Sequence, residues 1–273
     1  MAVAIFPSVN VLKAFNVTTE PILLPGGQGA VYRAGNIILK PTDSKEESLW
    51  FASIFGEITQ DGFRIPRYIT STSGELVVGG WFAQEYVEGE HSNTRWQEVI
   101  ETCKSFHKAL AKIPRPAFLD TRIDPWSVAD RVAWQESPLV CFPELEKPLY
   151  DLFSVVRPVN LPNQLIHGDF TMNVLFADGL PPAVIDFSPY WRPTEFAIAV
   201  VVADALVWQG ADASMFDHVK DVHEIDQMLV RAEIRRIMEI DGHHRQYGTD
   251  GLKDVERHLN IVDMICERAL KTA

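Results

Sequence analysis

The sequence has only three cysteines, Cys103, Cys141 and Cys266, among 273 residues. They lie far apart, form no CxxC pair and leave one thiol over in any disulfide scheme. This argues against a disulfide framework, a redox motif and the common zinc spacings. Cys103 and Cys266 fall on apolar stripes of predicted helices, where packing is the expected role. Basic residues are also scarce: 25 Lys and Arg stand against 37 Asp and Glu, for a formal net charge of −12. Nucleic-acid binding replaces condensed counterions with Lys and Arg, so this balance argues against a nucleic-acid partner. No apolar run is long enough to cross a bilayer, and the longest, Phe196 to Leu206, carries Asp204. The basic start, apolar run and small-residue cleavage site of a signal peptide are missing. Internal repeats and low-complexity tracts are missing too. The expectation is a soluble, cytoplasmic protein with no membrane partner. With 47% hydrophobic and 23% charged residues, the chain can pack one large domain or two lobes.

What is present divides into two patterns. Val17-Thr18-Thr19 leads into a turn, Pro25-Gly26-Gly27-Gln28-Gly29, followed by predicted strands at 30–33 and 36–40. Thr42-Asp43-Ser44 caps a predicted helix with Glu46 and Glu47 in its first turn. Strands are then expected at 65–72, 75–78 and 81–87. After Gly89, the residues Trp96, Val99, Ile100, Cys103, Phe106, His107 and Leu110 recur at three- and four-residue steps, the period of an amphipathic helix. Further helices are predicted near 127–136, 143–156, 195–209, 225–240 and 252–270. Only short strands interrupt them, at 164–166, 174–177 and 183–185. The expected fold class is α+β, with a β-rich N-terminal lobe over 1–88 and a larger helical lobe over 89–273.

The chemistry concentrates in Leu165-Ile166-His167-Gly168-Asp169-Phe170-Thr171-Met172-Asn173-Val174-Leu175-Phe176. An apolar strand delivers Asp169, Asn173 follows four residues later, and a second strand closes the loop. Thirteen residues past Asn173, Val184-Ile185 ends in another acid, Asp186. Phosphoryl transfer from ATP needs such a set. One carboxylate orients the acceptor hydroxyl and takes its proton. A carboxylate and a carboxamide oxygen, both hard ligands, hold magnesium against the phosphates. The glycines of the 25–29 turn, Gly26, Gly27 and Gly29, let backbone N–H groups approach phosphate oxygens.

HGDxxxN followed by IDF resembles the aminoglycoside phosphotransferase family of kinase-like enzymes, over residues 18 to 204. The resemblance implies a two-lobed, protein-kinase-like fold, with ATP and Mg2+ as cofactors and a hydroxyl of a small molecule as acceptor. It makes Asp169 the catalytic base, Asn173 and Asp186 the magnesium ligands, and His167 architectural. Lys40, eleven residues after Gly29, matches the lysine that pairs with the α- and β-phosphates. Glu47, rather than Glu46, is the preferred acid to hold it. Phe82 to Gly89 resembles the segment that binds adenine through its backbone, by position at Glu85 and Val87. A protein kinase and a kinase-like regulator without catalysis are the alternatives. HGD in place of HRD, and no APE-like segment, disfavour the first. Retention of Lys40, Asp169, Asn173 and Asp186 disfavours the second.

The chain departs from the family after Asp186. Ser188-Pro189-Tyr190-Trp191-Arg192-Pro193-Thr194-Glu195-Phe196 replaces a Gly-Asp-Pro and an Asp-Leu pair that buttresses the catalytic loop in relatives. Tyr190, Trp191 and Arg192 either wall an acceptor site or form a packed corner. The acids beyond residue 210 suit an amino-bearing acceptor, or solvate helix surfaces. His243-His244 beside Asp241 is read as a solvated helix end in preference to a metal site.

Overall fold

A computed structural model describes residues 6–25, 29–248 and 250–272, and the chain divides into two compact units. One runs to Glu90 and takes in Leu175–Ile185; the other comprises His91–Val174 and the chain from Asp186 onward. The return of 175–185 to the first unit differs from the sequence expectation of one boundary near residue 88.

In the first unit, helix α1 (Val9–Ala14) precedes strands β1 (Ile22–Leu23), β2 (Tyr32–Ala34) and β3 (Ile37–Pro41). Helix α2 (Lys45–Glu57) follows, then β4 (Tyr68–Ile69), β5 (Val77–Val78) and β6 (Trp81–Glu85). The strands form one antiparallel sheet in the order β1-β2-β3-β6-β4, with β5 also paired to β6. Side chains alternate between the faces of a strand, so Tyr32, Leu39, Trp81 and Ala83 gather on one face. There they bury Val11 of α1 and Phe15, which caps the end of that helix. This helix is missing from the sequence reading because six residues are too few to show a period. Ser8 caps it by accepting the Val11 N–H, and Ser44 caps α2 by accepting the Glu47 N–H at 3.1 Å.

Residues 175–185 join this unit through backbone bonds. The Arg64 N–H donates to Pro182 O at 2.9 Å, the Val184 N–H to Arg64 O at 2.8 Å, and Glu90 and Phe176 exchange both of theirs at 2.9 Å. At Gly89 (φ +146°) a Cβ would sit 2.8 Å from that of Leu175, so only glycine admits the approach.

Along the rest of the chain come α3 (Trp96–Leu110), α4 (Pro125–Ala133), α5 (Pro143–Ser154), β7 (Gln164–His167), β8 (Val174–Leu175), β9 (Ala183–Val184) and β10 (Pro189–Arg192), of which β9 and Leu175 of β8 belong to the first unit and the others to the second. Helices α6 (Thr194–Trp208), α7 (Ile225–Tyr247) and α8 (Val255–Lys271) complete the chain. Strands β8 and β9 pair with each other. Helix α6 is buried on every side from Phe196 to Val207, as expected of a helix that is apolar all round. No helix among the described residues is long and apolar enough to cross a membrane.

Strand β7 does not pair with the strand that follows it. Its partner is β10, antiparallel, with Pro189 opposite His167 and Arg192 opposite Gln164. The sequence conceals β10 because Pro189 opens it and Pro193 follows it, and proline argues against an interior strand. Arg192 anchors this corner. Its Nε and one terminal nitrogen meet Asp130 Oδ2 at 2.9 and 2.6 Å, and Glu136 takes the remaining bonds at 2.6 and 2.7 Å. Both Arg192 and Asp130 are buried. Burial raises the Asp130 carboxyl, and the Arg192 charge opposes that rise. Removing one partner of a buried pair strands the other charge. Arg192→Leu is therefore expected to destabilise the fold by about 3–5 kcal/mol in urea unfolding. A loss below about 1 kcal/mol, the range of an exposed pair, would contradict this.

Candidate active site

The loop after β7 is held by two imidazoles. His107, on α3, donates from Nδ1 to Cys103 O at 2.7 Å, one helical turn back. Its Nε2 therefore lacks a proton and accepts the His167 backbone N–H at 2.9 Å. This requires a neutral ring, and burial pushes the His107 pKa down to about 3, with the Cys103 carbonyl opposing and His167 assisting. His167, fully buried, uses its own Nδ1 to accept the backbone N–H groups of Asp169 (3.2 Å) and Ser188 (3.3 Å). One side chain thus ties the Asp169 segment to the segment after Asp186. That fits the architectural role the resemblance implies for His167. The sequence placed His107 on the apolar stripe of α3, without a task.

Gly168 sits under Tyr190 and Arg235. A Cβ there would lie 2.3 Å from the Tyr190 ring and 2.9 Å from an Arg235 nitrogen. Arg235 is buried at 1% exposure and donates to Gly168 O at 2.8 Å and to the Tyr190 hydroxyl at 3.2 Å. Its guanidinium lies 4.3 Å from the Tyr190 ring centroid, close enough for a cation–π contact.

The side chain of Asp169 is 47% exposed, and its Oδ1 accepts from Arg236 at 2.8 Å. Arg236 also grips Asp204 through two nitrogens at 2.7 and 2.5 Å, and Glu239 at 2.8 Å. Burial pushes the Asp169 carboxyl up, but the charge and hydrogen bond of Arg236, aided by His167 and Arg235, outweigh it and leave it lowered. Four residues on, the Asn173 side-chain N–H donates to Asp169 O at 2.7 Å. A carbonyl only accepts, so the amide end of Asn173 faces it and the carboxamide oxygen is presented elsewhere. Asp186 is exposed and holds φ +53°, the left-handed region that non-glycine residues rarely enter. Such outliers cluster at functional sites.

The remaining predicted residues belong to the first unit. Lys40 is half-buried on β3, opposite Phe82 of β6. In the first turn of α2, Glu47 is half-buried and Glu46 exposed. Glu85 ends β6, and its N–H is taken by Arg67 O at 2.9 Å. Val87 lies in the extended segment beyond it. Gly29 has φ +73°, with no atom of the described residues within 4 Å of where a Cβ would lie, while Gly26 and Gly27 lie outside the described residues.

Asp169 opens on a cavity of about 780 Å³ in the second unit, whose lining includes Trp208, Arg236, Glu239, His243 and Asp254. This volume suits a small molecule. Tyr190, Trp191 and Arg192 are not part of its lining. They border a separate hollow of about 220 Å³, with Tyr190 and Arg192 buried. Of the two sequence alternatives, the packed corner is the one observed.

A family model described as "Phosphotransferase enzyme family" matches residues 31–190. Similar solved structures include an aminoglycoside phosphotransferase from Alicyclobacillus acidocaldarius (14% identity, 99% of this chain and 96% of that one, TM-score 0.61). The spectinomycin phosphotransferase APH(9)-Ia, in complex with ADP and spectinomycin, is 12% identical over 96% and 97% of the two chains (TM-score 0.59). A choline/ethanolamine kinase family protein from Mesorhizobium loti is 13% identical over 92% and 89% (TM-score 0.61). At these identities the likeness is one of fold, and it gives this chain the α+β kinase-like fold, with a sheet unit and a helical unit. No curated protein matches the chain in sequence.

The His107 pair carries a signature in stability. Unfolded, this histidine titrates near 6.5, and folded near 3, so the unfolded state takes up the proton first. Its stabilising contribution is complete above pH 6.5 and is lost as pH falls toward 3. From pH 7 to pH 5 the expected loss is about 2 kcal/mol. Denaturant unfolding of His107→Gln should show a smaller loss over that interval by about this amount. An identical pH dependence in variant and wild type would contradict the neutral-histidine assignment.

Proposed function

The chain belongs to the phosphotransferase enzyme family, and on that premise we propose that it transfers the γ-phosphoryl group of ATP to a hydroxyl of a small, amino-bearing molecule. The observation that carries this reading is Asp169. Its carboxylate stands half exposed at the wall of a ligand-sized cavity, while its own main-chain carbonyl fixes Asn173. In this reading the acceptor hydroxyl lies against Asp169, which orients it and receives its proton as the oxygen attacks phosphorus.

The donor set suits a hard divalent cation. Asn173 offers a carboxamide oxygen and Asp186 a carboxylate, and magnesium ordinarily takes one or two such protein ligands beside phosphates and water. When bound, magnesium supplies charge neutralisation on the phosphate oxygens. Lys40 would hold the α- and β-phosphates, with Glu47 positioning its ammonium. Backbone N–H groups of the Gly26-Gly27-Gln28-Gly29 turn would cover them, and the backbone of Glu85 and Val87 would hold adenine. Asp254 would favour a cationic group on the acceptor by charge-assisted hydrogen bonding, and the exposed Trp208 would pack a ring. The protein contributes positioning and electrostatics, with no covalent intermediate.

Asp169→Asn keeps the shape and loses the basicity. It is expected to lower magnesium-ATP turnover, with water as acceptor, on the order of 100- to 10,000-fold. ADP should still raise the melting temperature. Turnover at the wild-type rate would overturn the assignment. Lys40→Ala and Asp186→Ala should both impair ATP use, but differently. Raised magnesium or manganese should partly restore Asp186→Ala, which lacks a metal ligand. It should not restore Lys40→Ala, which lacks a phosphate contact. Equal rescue, or none of either, would contradict these roles.

A further inference from the structure

Arg235 and Arg236 are consecutive on α7, so their side chains leave the helix about 100° apart. Both nevertheless reach the same loop: Arg235 the Gly168 carbonyl, Arg236 the Asp169 carboxylate. Glu239, one turn further on, takes a nitrogen from each, with Arg235 Nε on Oε1 and Arg236 on Oε2, both at 2.8 Å. Asp204, the one polar residue of α6 between Phe196 and Trp208, closes the frame with two bonds to Arg236. Arg236 is only 10% exposed and Asp204 8%. With three carboxylates around it, the guanidinium has no freedom to turn. Its planar fork of five donors is what a lysine lacks.

The two oxygens of Asp169 are therefore unequal. Oδ1 is bonded to Arg236 at 2.8 Å, whereas among the described residues Oδ2 meets only the Asn173 amide, at 3.4 Å, too long for a strong hydrogen bond. We propose that Arg236 is a positioning residue for phosphoryl transfer: it pins Oδ1 of Asp169 so that Oδ2 receives the acceptor proton. This rests on the reading of Asp169 as the base. The acceptor O–H proton passes to Oδ2 and the acceptor oxygen bonds to the γ-phosphorus. The bond from that phosphorus to the β–γ bridging oxygen breaks, and ADP leaves with its electron pair. In this proposal Arg236 acts through Asp169 and not on the reacting atoms. It fixes the direction of the carboxylate, and a misplacement of about 1 Å costs on the order of 100-fold in rate.

The test measures kcat and KM for magnesium-ATP, with water as acceptor, in the full chain. Arg236→Gln is expected to lose on the order of 100-fold in kcat with KM for ATP unchanged, because the bonds of Arg236 go to Asp169, Asp204 and Glu239. Arg236→Lys should recover part of the loss, since an ammonium can still hold Oδ1 but not all three carboxylates. Wild-type kcat in Arg236→Gln, or a raised KM with kcat intact, overturns the proposal. If Arg236→Gln does not fold, Asp204→Asn decides, because it keeps Arg236 but loosens its anchor. Lowered kcat at constant KM in that variant supports the proposal, and full kcat overturns it. Asp169→Asn separates this failure from failure of the base assignment. If Asp169→Asn is inactive and Arg236→Gln fully active, only the role of Arg236 falls. If Asp169→Asn is fully active, or the wild type turns over no ATP, both fall.

Discussion

A neutral imidazole holds the backbone of the loop on which the whole site stands. At the end of β7 the strand ladder runs out, and main-chain N–H groups in a buried segment require other acceptors. His107 Nε2 supplies one to His167, and His167 Nδ1 supplies two more, to Asp169 and Ser188. Only an unprotonated nitrogen accepts, so the arrangement depends on His107 staying uncharged. The apolar setting enforces this. Phe106, Cys103 and Leu110 around it on α3 are buried without measurable exposure, and burial penalises the imidazolium. The core that fixes α3 thereby also fixes the protonation state on which the loop relies.

Charge serves the opposite end of the same loop. Arg235 and Arg236 brace the loop at Gly168 and Asp169. Buried guanidinium groups are tolerated because carboxylates meet them. Burial would lower the Arg236 pKa, yet Asp204, Glu239 and Asp169 together raise it. Gly168 is the steric counterpart, since Tyr190 and Arg235 press against its Cα and no side chain fits between them. Tyr190 and Arg192 come from β10, so pairing of β7 with β10 sets both the corner and the ceiling of the loop. The same pairing removes Arg192 from any contact with the Asp169 cavity.

Much of this was legible in the sequence. The spacing HGDxxxN, then Asp186 at a strand end, marks the loop from sequence alone. Apolar periodicity located α3 through α8 to within a few residues, except that α7 continues to Tyr247 through His243 and His244, which looked like a solvated end. Three features were not legible, each for a physical reason. Strand β10 lies between two prolines. Helix α1 is too short to show a period. The arginine pair was hidden because periodicity treats every charge as solvent-facing, whereas Arg235 and Arg236 are buried against partners from α6 and the loop. Pairing across 30 to 70 residues of sequence leaves no local trace. His107 fell between these cases: its place on the apolar stripe was visible, and its hydrogen bond to residue 167 was not.

The central claim is that this chain phosphorylates a small molecule at a hydroxyl. The most direct measurement is mass spectrometry of products after incubation with magnesium-ATP and single acceptors from a panel of aminoglycosides, amino sugars, choline, homoserine and neutral sugars. The expected result is one or more amino-bearing acceptors carrying a phosphate ester, formed with stoichiometric ADP and absent with Asp169→Asn. Product formed equally well by Asp169→Asn, or phosphate found only on protein, would contradict it.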